Sequence, residues 1–124
     1  MKAFITEPAQ DILLVIAGYN RDGPVSEVEA FDLSGQGRTC TAPASLPYAT
    51  FETSSLKTAD GNPFICGGQR SESLCQEYIP ELDSWEDREG LLDRRQASPA
   101  VEIANNDYWI IGGFEEPDTS EICF

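Results

Sequence analysis

The strongest constraint on how this chain folds is a six-residue apolar segment that occurs three times and ends each time in a pair of small residues. The segments are Leu13–Gly18, Pro63–Gly68 and Tyr108–Gly113. Gly68 lies 50 positions after Gly18, and Gly113 lies 45 positions after Gly68. Short apolar runs bounded by turn residues are typical of buried strands. The chain is therefore expected to be a repeat of short strands with a period of 45 to 50 residues.

The residues around each segment complete a period of four short strands. Turn-forming residues precede the second and third segments, at 60–62 and 105–107, and a polar loop follows each segment. The next strand leads to an aromatic residue, which is Phe31 in the first period and Tyr78 in the second, and a fourth strand begins at Trp85. A period of this length predicts an all-β fold, with β-propeller blades of four antiparallel strands.

The second period resembles the kelch repeat, because Gly67-Gly68 is followed by Tyr78 and then by Trp85. The third period has the same glycine pair at Gly112-Gly113. The first period departs from the pattern. It has Ala17 before Gly18, Phe31 in place of the tyrosine and Cys40 in place of the tryptophan, as seen in the sequence.

The resemblance covers about two and a half repeats, in register over nearly the whole chain. It implies one partial propeller with a first blade over 1–46, a second over 47–92 and the start of a third over 93–124. Propellers close with about 4–8 blades, so the ring is expected to be incomplete. Strands at both chain ends favour a fragment, and the remaining blades are expected from a longer chain, with assembly of several copies as the alternative.

Two of the four cysteines are expected to form a disulfide. Cys66 ends one strand and Cys75 begins the next strand of the same blade, and cross-strand neighbours lie within disulfide reach. Two small buried thiols are the alternative. If the bridge forms, an oxidising, extracellular compartment is favoured, and otherwise a cytoplasmic one. Cys40 and Cys123 lie in different blades and are not expected to pair with each other.

Composition excludes several functions. The chain has 22 acidic and 8 basic residues, a formal net charge of −14 and no histidine. This charge repels nucleic acid and anionic membranes. Without histidine, this segment has no Ser-His-Asp or Cys-His catalysis. No acidic or glycine-rich motif has the spacing of a calcium or phosphate loop, so no metal or other cofactor is expected.

The paired arginines Arg94 and Arg95 leave two interpretations open. They hold an acidic ligand, or they stack on aromatic rings or pair with nearby Asp87, Glu89 or Asp93.

The resemblance to kelch propellers implies a protein-binding module that is not an enzyme. Loops on a rigid scaffold are where recognition residues lie. The candidate binding residues lie in the loops after the apolar segments, and they are Arg21, Asp22, Arg70, Phe114 and Glu115. The acidic charge favours a partner with a basic patch. The alternative is a fragment of a copper enzyme of the galactose-oxidase-like class, whose metal site needs histidine and tyrosine ligands.

Overall fold

The computed structural model describes residues 12–35, 40–104, 107–114 and 120–123. The described residues form β-strands and contain no helix, which confirms the predicted all-β class. The strands are β1 (Ile12–Asn20), β2 (Gly23–Asp32), β3 (Ser54–Lys57), β4 (Pro63–Cys66), β5 (Cys75–Ile79), β6 (Ser84–Arg88), β7 (Ala100–Ala104), β8 (Asp107–Ile111) and β9 (Ser120–Cys123). They pair in chain order into a first sheet of β1–β2, a middle sheet of β3–β6 and a third sheet of β7–β9, all antiparallel.

The middle sheet has the four strands that the sequence predicts. Its strands follow one another as neighbours, and Tyr78 lies opposite Trp85 in the β5–β6 pair. Cys66 lies directly opposite Cys75 in the β4–β5 pair, and the two form a disulfide with their Cα atoms 4.1 Å apart. The predicted bridge is therefore confirmed. Cys40 forms no disulfide, and the side chain of Cys123 lies outside the described part of the chain.

The first sheet corrects the prediction of a polar loop directly after the first apolar segment. β1 and β2 continue as one long hairpin whose turn is only Arg21 and Asp22. The backbone N–H of Asp22 donates to the Asn20 side-chain oxygen at 2.8 Å, and Gly23 takes a positive φ of 117°. Asparagine before the turn and glycine after it allow a tight turn without strain. The two strands therefore remain paired up to the turn itself.

The segment after Cys40 corrects the expectation of a fourth strand in the first period. Residues 40–46 form no strand and run between the first and middle sheets. The N–H of Ala44 donates to the Asp83 carboxylate at 2.9 Å, and the indole of Trp85 donates to the Ala44 carbonyl at 2.8 Å. The side chains of Asp83 and Trp85 thus satisfy the N–H and the carbonyl of Ala44. In a strand, these backbone groups would instead bond to a neighbouring strand.

The three sheets stack face to face through two apolar clusters. Ala17, Leu46 and Ile65 are buried between the first and middle sheets, where Ile16 and Trp85 pack against them. A second cluster lies between the middle and third sheets and contains Phe64, Cys66, Cys75, Leu91 and Ile110. The rings of Phe64 and Tyr108 stack across this second interface with their centroids 5.7 Å apart. Each interface joins a sheet to the next one along the chain.

The backbone repeats the same conformation at each small-residue pair. The first members have φ values of 58° (Ala17), 68° (Gly67) and 61° (Gly112), and the second members have 124° (Gly18), 104° (Gly68) and 119° (Gly113). Both values lie in the region that favours glycine. The sequence repeat is therefore also a repeat of backbone geometry, and Ala17 takes the conformation of the glycine it replaces.

Backbone hydrogen bonds between the repeats recur as well. The Gly18 N–H donates to the Thr50 carbonyl at 2.9 Å, and the Gly68 N–H donates to the Arg95 carbonyl at 2.7 Å. Thr50 and Arg95 are 45 positions apart. Leu46 and Leu91, also 45 positions apart, donate their N–H groups to the carbonyls of Ser26 in β2 and of Ser73 in the β4–β5 loop, at 2.8 and 2.7 Å. The way one sheet is joined to the next is thus the same at both junctions.

Candidate functional site

The residues that follow the small-residue pairs lie along one edge of the stacked sheets. At this edge β4 and β8 end, and the paired strands β1 and β2 continue past it to their hairpin turn. We call it the glycine-pair edge. Its described members are Tyr19, Arg21, Asp22, Phe51, Gln69, Arg70, Gln96 and Phe114.

A chain of contacts holds the glycine-pair edge together across the three sheets. The rings of Tyr19 and Phe51 meet edge to face with centroids 5.0 Å apart. The Phe51 carbonyl accepts the Gln69 N–H at 2.8 Å, and the Gln96 carbonyl accepts the Phe114 N–H at 3.0 Å. These last two bonds are equivalent, because both partners are displaced by 45 positions. The edge is therefore a continuous surface whose parts have set relative positions.

Two aromatic side chains stand out from this surface. Tyr19 is 68% exposed and Phe114 is 78% exposed, although both rings are large and apolar. They occupy equivalent places, each directly after a small-residue pair. Exposed aromatic side chains on a rigid surface are typical of the residues that dominate protein–protein binding. Phe114 is one of the predicted binding residues, and the structure places it at this edge with its ring exposed.

The predicted residue Arg70 lies in the tight turn after β4. The turn is closed by the Glu72 N–H, which donates to the Gly68 carbonyl at 2.7 Å. Below it, the Ser71 hydroxyl is buried and bonds to the Thr50 hydroxyl at 2.7 Å. Arg70 itself is exposed, and among the described residues no carboxylate forms an ion pair with it. Its guanidinium is therefore available to a partner from a firmly held backbone.

The predicted residues Arg21 and Asp22 lie at the tip of the β1–β2 hairpin. Both are exposed, and the hairpin carries them past the small-residue pair by two further cross-strand pairs, Tyr19 with Pro24 and Asn20 with Gly23. They extend the glycine-pair edge at its first sheet. The remaining predicted binding residue, Glu115, lies outside the described residues.

Arg94 and Arg95 differ in accessibility. Arg95 is buried, donates to the Gly112 carbonyl at 2.8 Å and lies 3.7 Å from the Asp93 carboxylate. The interpretation that it pairs with a nearby carboxylate is confirmed, and its burial leaves no face for an acidic ligand. Arg94 is exposed and forms an ion pair with Glu72 at 3.1 Å. Arg95 thus acts as a structural link between the middle and third sheets.

Tyr78 and Asp83 form a hydrogen-bonded pair in which both pKa values are shifted. The pair lies at the end of the middle sheet opposite the glycine-pair edge. The Tyr78 hydroxyl donates to the Asp83 carboxylate at 2.5 Å. Burial and this bond raise the pKa of Tyr78 well above its usual value of 10. The same bond, together with the Ala44 N–H, lowers the pKa of the Asp83 carboxyl. This pair ties the β5–β6 turn to the segment after Cys40, which is a structural role.

Sequence reasoning missed Tyr19 and Phe51 as members of the site. Aligning the three periods on their small-residue pairs places Tyr19 with Phe114, so a signal for Tyr19 was present. Phe51 lies between two sheets in sequence and reaches the edge only through contacts with Tyr19 and Gln69. No local pattern marks such a contact.

Comparison with known proteins gives no assignment: no family model matches the chain, and no curated protein matches it. Within the described ranges, no group of three or more histidine, cysteine, aspartate or glutamate side chains is placed to hold a metal ion. No helix of the described residues has the length and hydropathy needed to span a membrane. The glycine-pair edge is accordingly the candidate functional site, on the strength of its own residues.

Proposed function

We propose that this chain is a set of kelch-type β-propeller blades that binds a protein partner through the glycine-pair edge and has no catalytic activity. Several observations support the blade assignment. The sheets are antiparallel and stack face to face in chain order. The three small-residue pairs share one backbone conformation, and the bonds between sheets recur at the repeat spacing. A blade needs neighbours on both sides, so the ring is completed by further blades.

The observation that carries the binding function is the exposure of Tyr19 and Phe114 on a hydrogen-bonded edge. A large apolar ring in water is a cost to the free protein, and covering it with a partner removes that cost. Because the backbone beneath is already ordered, little further entropy is lost when the partner binds.

Charge indicates the kind of partner. The formal net charge of −14 attracts a partner with a basic patch and accelerates their encounter at low ionic strength. Association is therefore expected to slow steeply as salt is added. The Cys66–Cys75 disulfide favours an oxidising compartment for this encounter. The copper-enzyme alternative stays a prediction that no described residue favours.

The function is tested by removing the two exposed rings together, in a Tyr19→Ala/Phe114→Ala variant. Tagged wild-type chain and variant are used to capture proteins from an extract of the source organism, and captured amounts are compared. The partner so identified is then titrated against each chain by calorimetry. We expect the double variant to bind at least about tenfold more weakly, since buried aromatic anchors each contribute about 1–2 kcal/mol or more.

Leu82→Ala is the matched control. Leu82 is also an exposed apolar residue, but it lies in the β5–β6 turn at the opposite end of the middle sheet. Binding that survives in the Leu82 variant and is lost in the double variant supports the proposal. Equal binding by all three chains, or loss of binding in the Leu82 variant alone, contradicts it.

A further inference from the structure

Among the described residues, no sheet packs against two apolar sheet faces of this chain. The outer face of the first sheet carries Leu13, Val15 and Phe31, with Leu13 and Phe31 directly opposite each other in the β1–β2 pair. The outer face of the third sheet carries Val101 and Trp109, also a cross-strand pair, and Ile111. Exposed apolar patches on sheets mark surfaces that are covered in the working molecule.

The outer face of the third sheet is the repeat equivalent of an interface already described. Trp109 and Ile111 stand 45 positions after Phe64 and Cys66, and these two are buried against the third sheet. Trp109 is 39% exposed, whereas Phe64 is 8% exposed. The third sheet therefore presents the same kind of face that the middle sheet uses to bind the sheet that follows it.

The outer face of the first sheet is equivalent to the other half of such an interface. Val15 stands 50 positions before Ile65, which is buried against the first sheet together with Ala17 and Leu46. Val15 is 42% exposed, whereas Ile65 is 2% exposed. Phe31 takes the place of Tyr78, which is likewise buried in the middle sheet. The first sheet therefore presents the face that receives a preceding sheet.

We infer that these two faces bind each other between copies of this chain, with the third sheet of one copy packed on the first sheet of the next. The faces are complementary because every junction inside the molecule joins the same two kinds of face in the same order. Contact between different patches on two copies is heterologous, so association is head to tail. The inference does not depend on partner binding at the glycine-pair edge, and a Tyr19→Ala/Phe114→Ala chain is expected to associate normally.

The experiment compares the full chain with Val15→Glu and Trp109→Glu variants by sedimentation velocity over a hundredfold range of concentration. Each substitution buries a charge in one of the two faces, which opposes packing. We expect the wild-type chain to associate as its concentration rises. Each variant alone is expected to remain monomeric, because it keeps only one of the two complementary faces.

Mixing the two variants provides the decisive measurement. The intact third-sheet face of the Val15 variant fits the intact first-sheet face of the Trp109 variant, so the mixture is expected to form one-to-one dimers and nothing larger. Dimer formation in the mixture also shows that both variants are folded. Leu82→Glu, on neither face, is the matched control and is expected to associate as the wild-type chain does.

Two results overturn the inference. A wild-type chain that stays monomeric over the whole concentration range shows that the faces do not bind each other. A single variant that still forms dimers shows that like faces pair, which contradicts head-to-tail packing.

Discussion

At Ala17, backbone strain and burial of the side chain have opposite effects on stability. Its φ of 58° lies where an L-residue is strained by about 1–2 kcal/mol, and glycine stands at the equivalent positions of the other two sheets. Its methyl group, however, is buried with Leu46 and Ile65, and burying one such group contributes about 0.8 kcal/mol. Burial of the methyl group therefore offsets part of the backbone strain. Gly67 has no such freedom, because an added Cβ there would collide with the Arg95 carbonyl oxygen.

The second glycine of the pair allows a direct test at the residue scale. A Cβ added at Gly68 would lie 2.8 Å from the Phe51 carbonyl oxygen and 2.9 Å from the Thr50 hydroxyl. Because backbone strain and crowding add, we expect Gly68→Ala to lower the free energy of unfolding by about 2–4 kcal/mol. Urea unfolding followed by circular dichroism measures the loss.

Gly61→Ala is the control for that measurement. Gly61 also has a positive φ, of 86°, but nothing lies within 4 Å of an added Cβ. It is expected to lose only about 1 kcal/mol, from backbone strain alone. Equal losses in the two variants would show that crowding at the glycine-pair edge contributes nothing.

At the scale of strands, prediction from sequence succeeds where the determinants are local. The alternation of apolar and turn residues marks β4 and β5, and their adjacency in the chain makes the Cys66–Cys75 bridge predictable. The segment after Cys40 is different. Its course is set by bonds from Asp83 and Trp85, about 40 residues further along, which no local pattern contains. The same holds for the glycine-pair edge, where Phe114 is predictable and Phe51 is not.

The disulfide between β4 and β5 is expected to stabilise the folded state of this pair of strands. Cys66 and Cys75 are nine residues apart, and cross-linking a loop of that size stabilises the folded state by about 2–3 kcal/mol in the chain-entropy model. A Cys66→Ala/Cys75→Ala variant is therefore expected to unfold that much more easily in urea. Cys40→Ser, which removes a cysteine outside any disulfide, is expected to change stability by no more than about 0.5 kcal/mol. A double variant as stable as wild type would argue against the bridge.

Across the whole molecule, buried and half-buried tyrosines from separate regions are expected to resist ionisation in alkali. The pKa is raised at Tyr48 in the segment that enters the middle sheet, at Tyr78 in β5 and at Tyr108 in β8. Burial is the largest cause in each case. A raised folded-state pKa favours the neutral phenol, so its stabilisation is complete below the unfolded value of about 10 and is lost as the pH rises past it.

We therefore expect the free energy of unfolding to be level between pH 7 and 9 and to fall progressively above about pH 10. Urea titrations at stepped pH, with phenolate absorbance recorded in parallel, measure both effects. A Tyr78→Phe chain is expected to be less stable at pH 7, where it lacks the bond to Asp83, and to lose less on going to pH 11. A wild-type stability that does not change between pH 9 and 11 would contradict the assignment.

Because the three sheets stack regularly, equivalent positions along the glycine-pair edge are evenly spaced. Packed sheets lie about 10 Å apart, and an extended peptide advances about 3.3 Å per residue. A peptide laid along this edge would therefore present every third residue to consecutive sheets, first to Tyr19, then to Gln69 and then to Phe114. The three positions carry different side chains, and Gln69 and Phe114 are held by equivalent backbone bonds. The side chain recognised can therefore differ from sheet to sheet while the spacing stays the same.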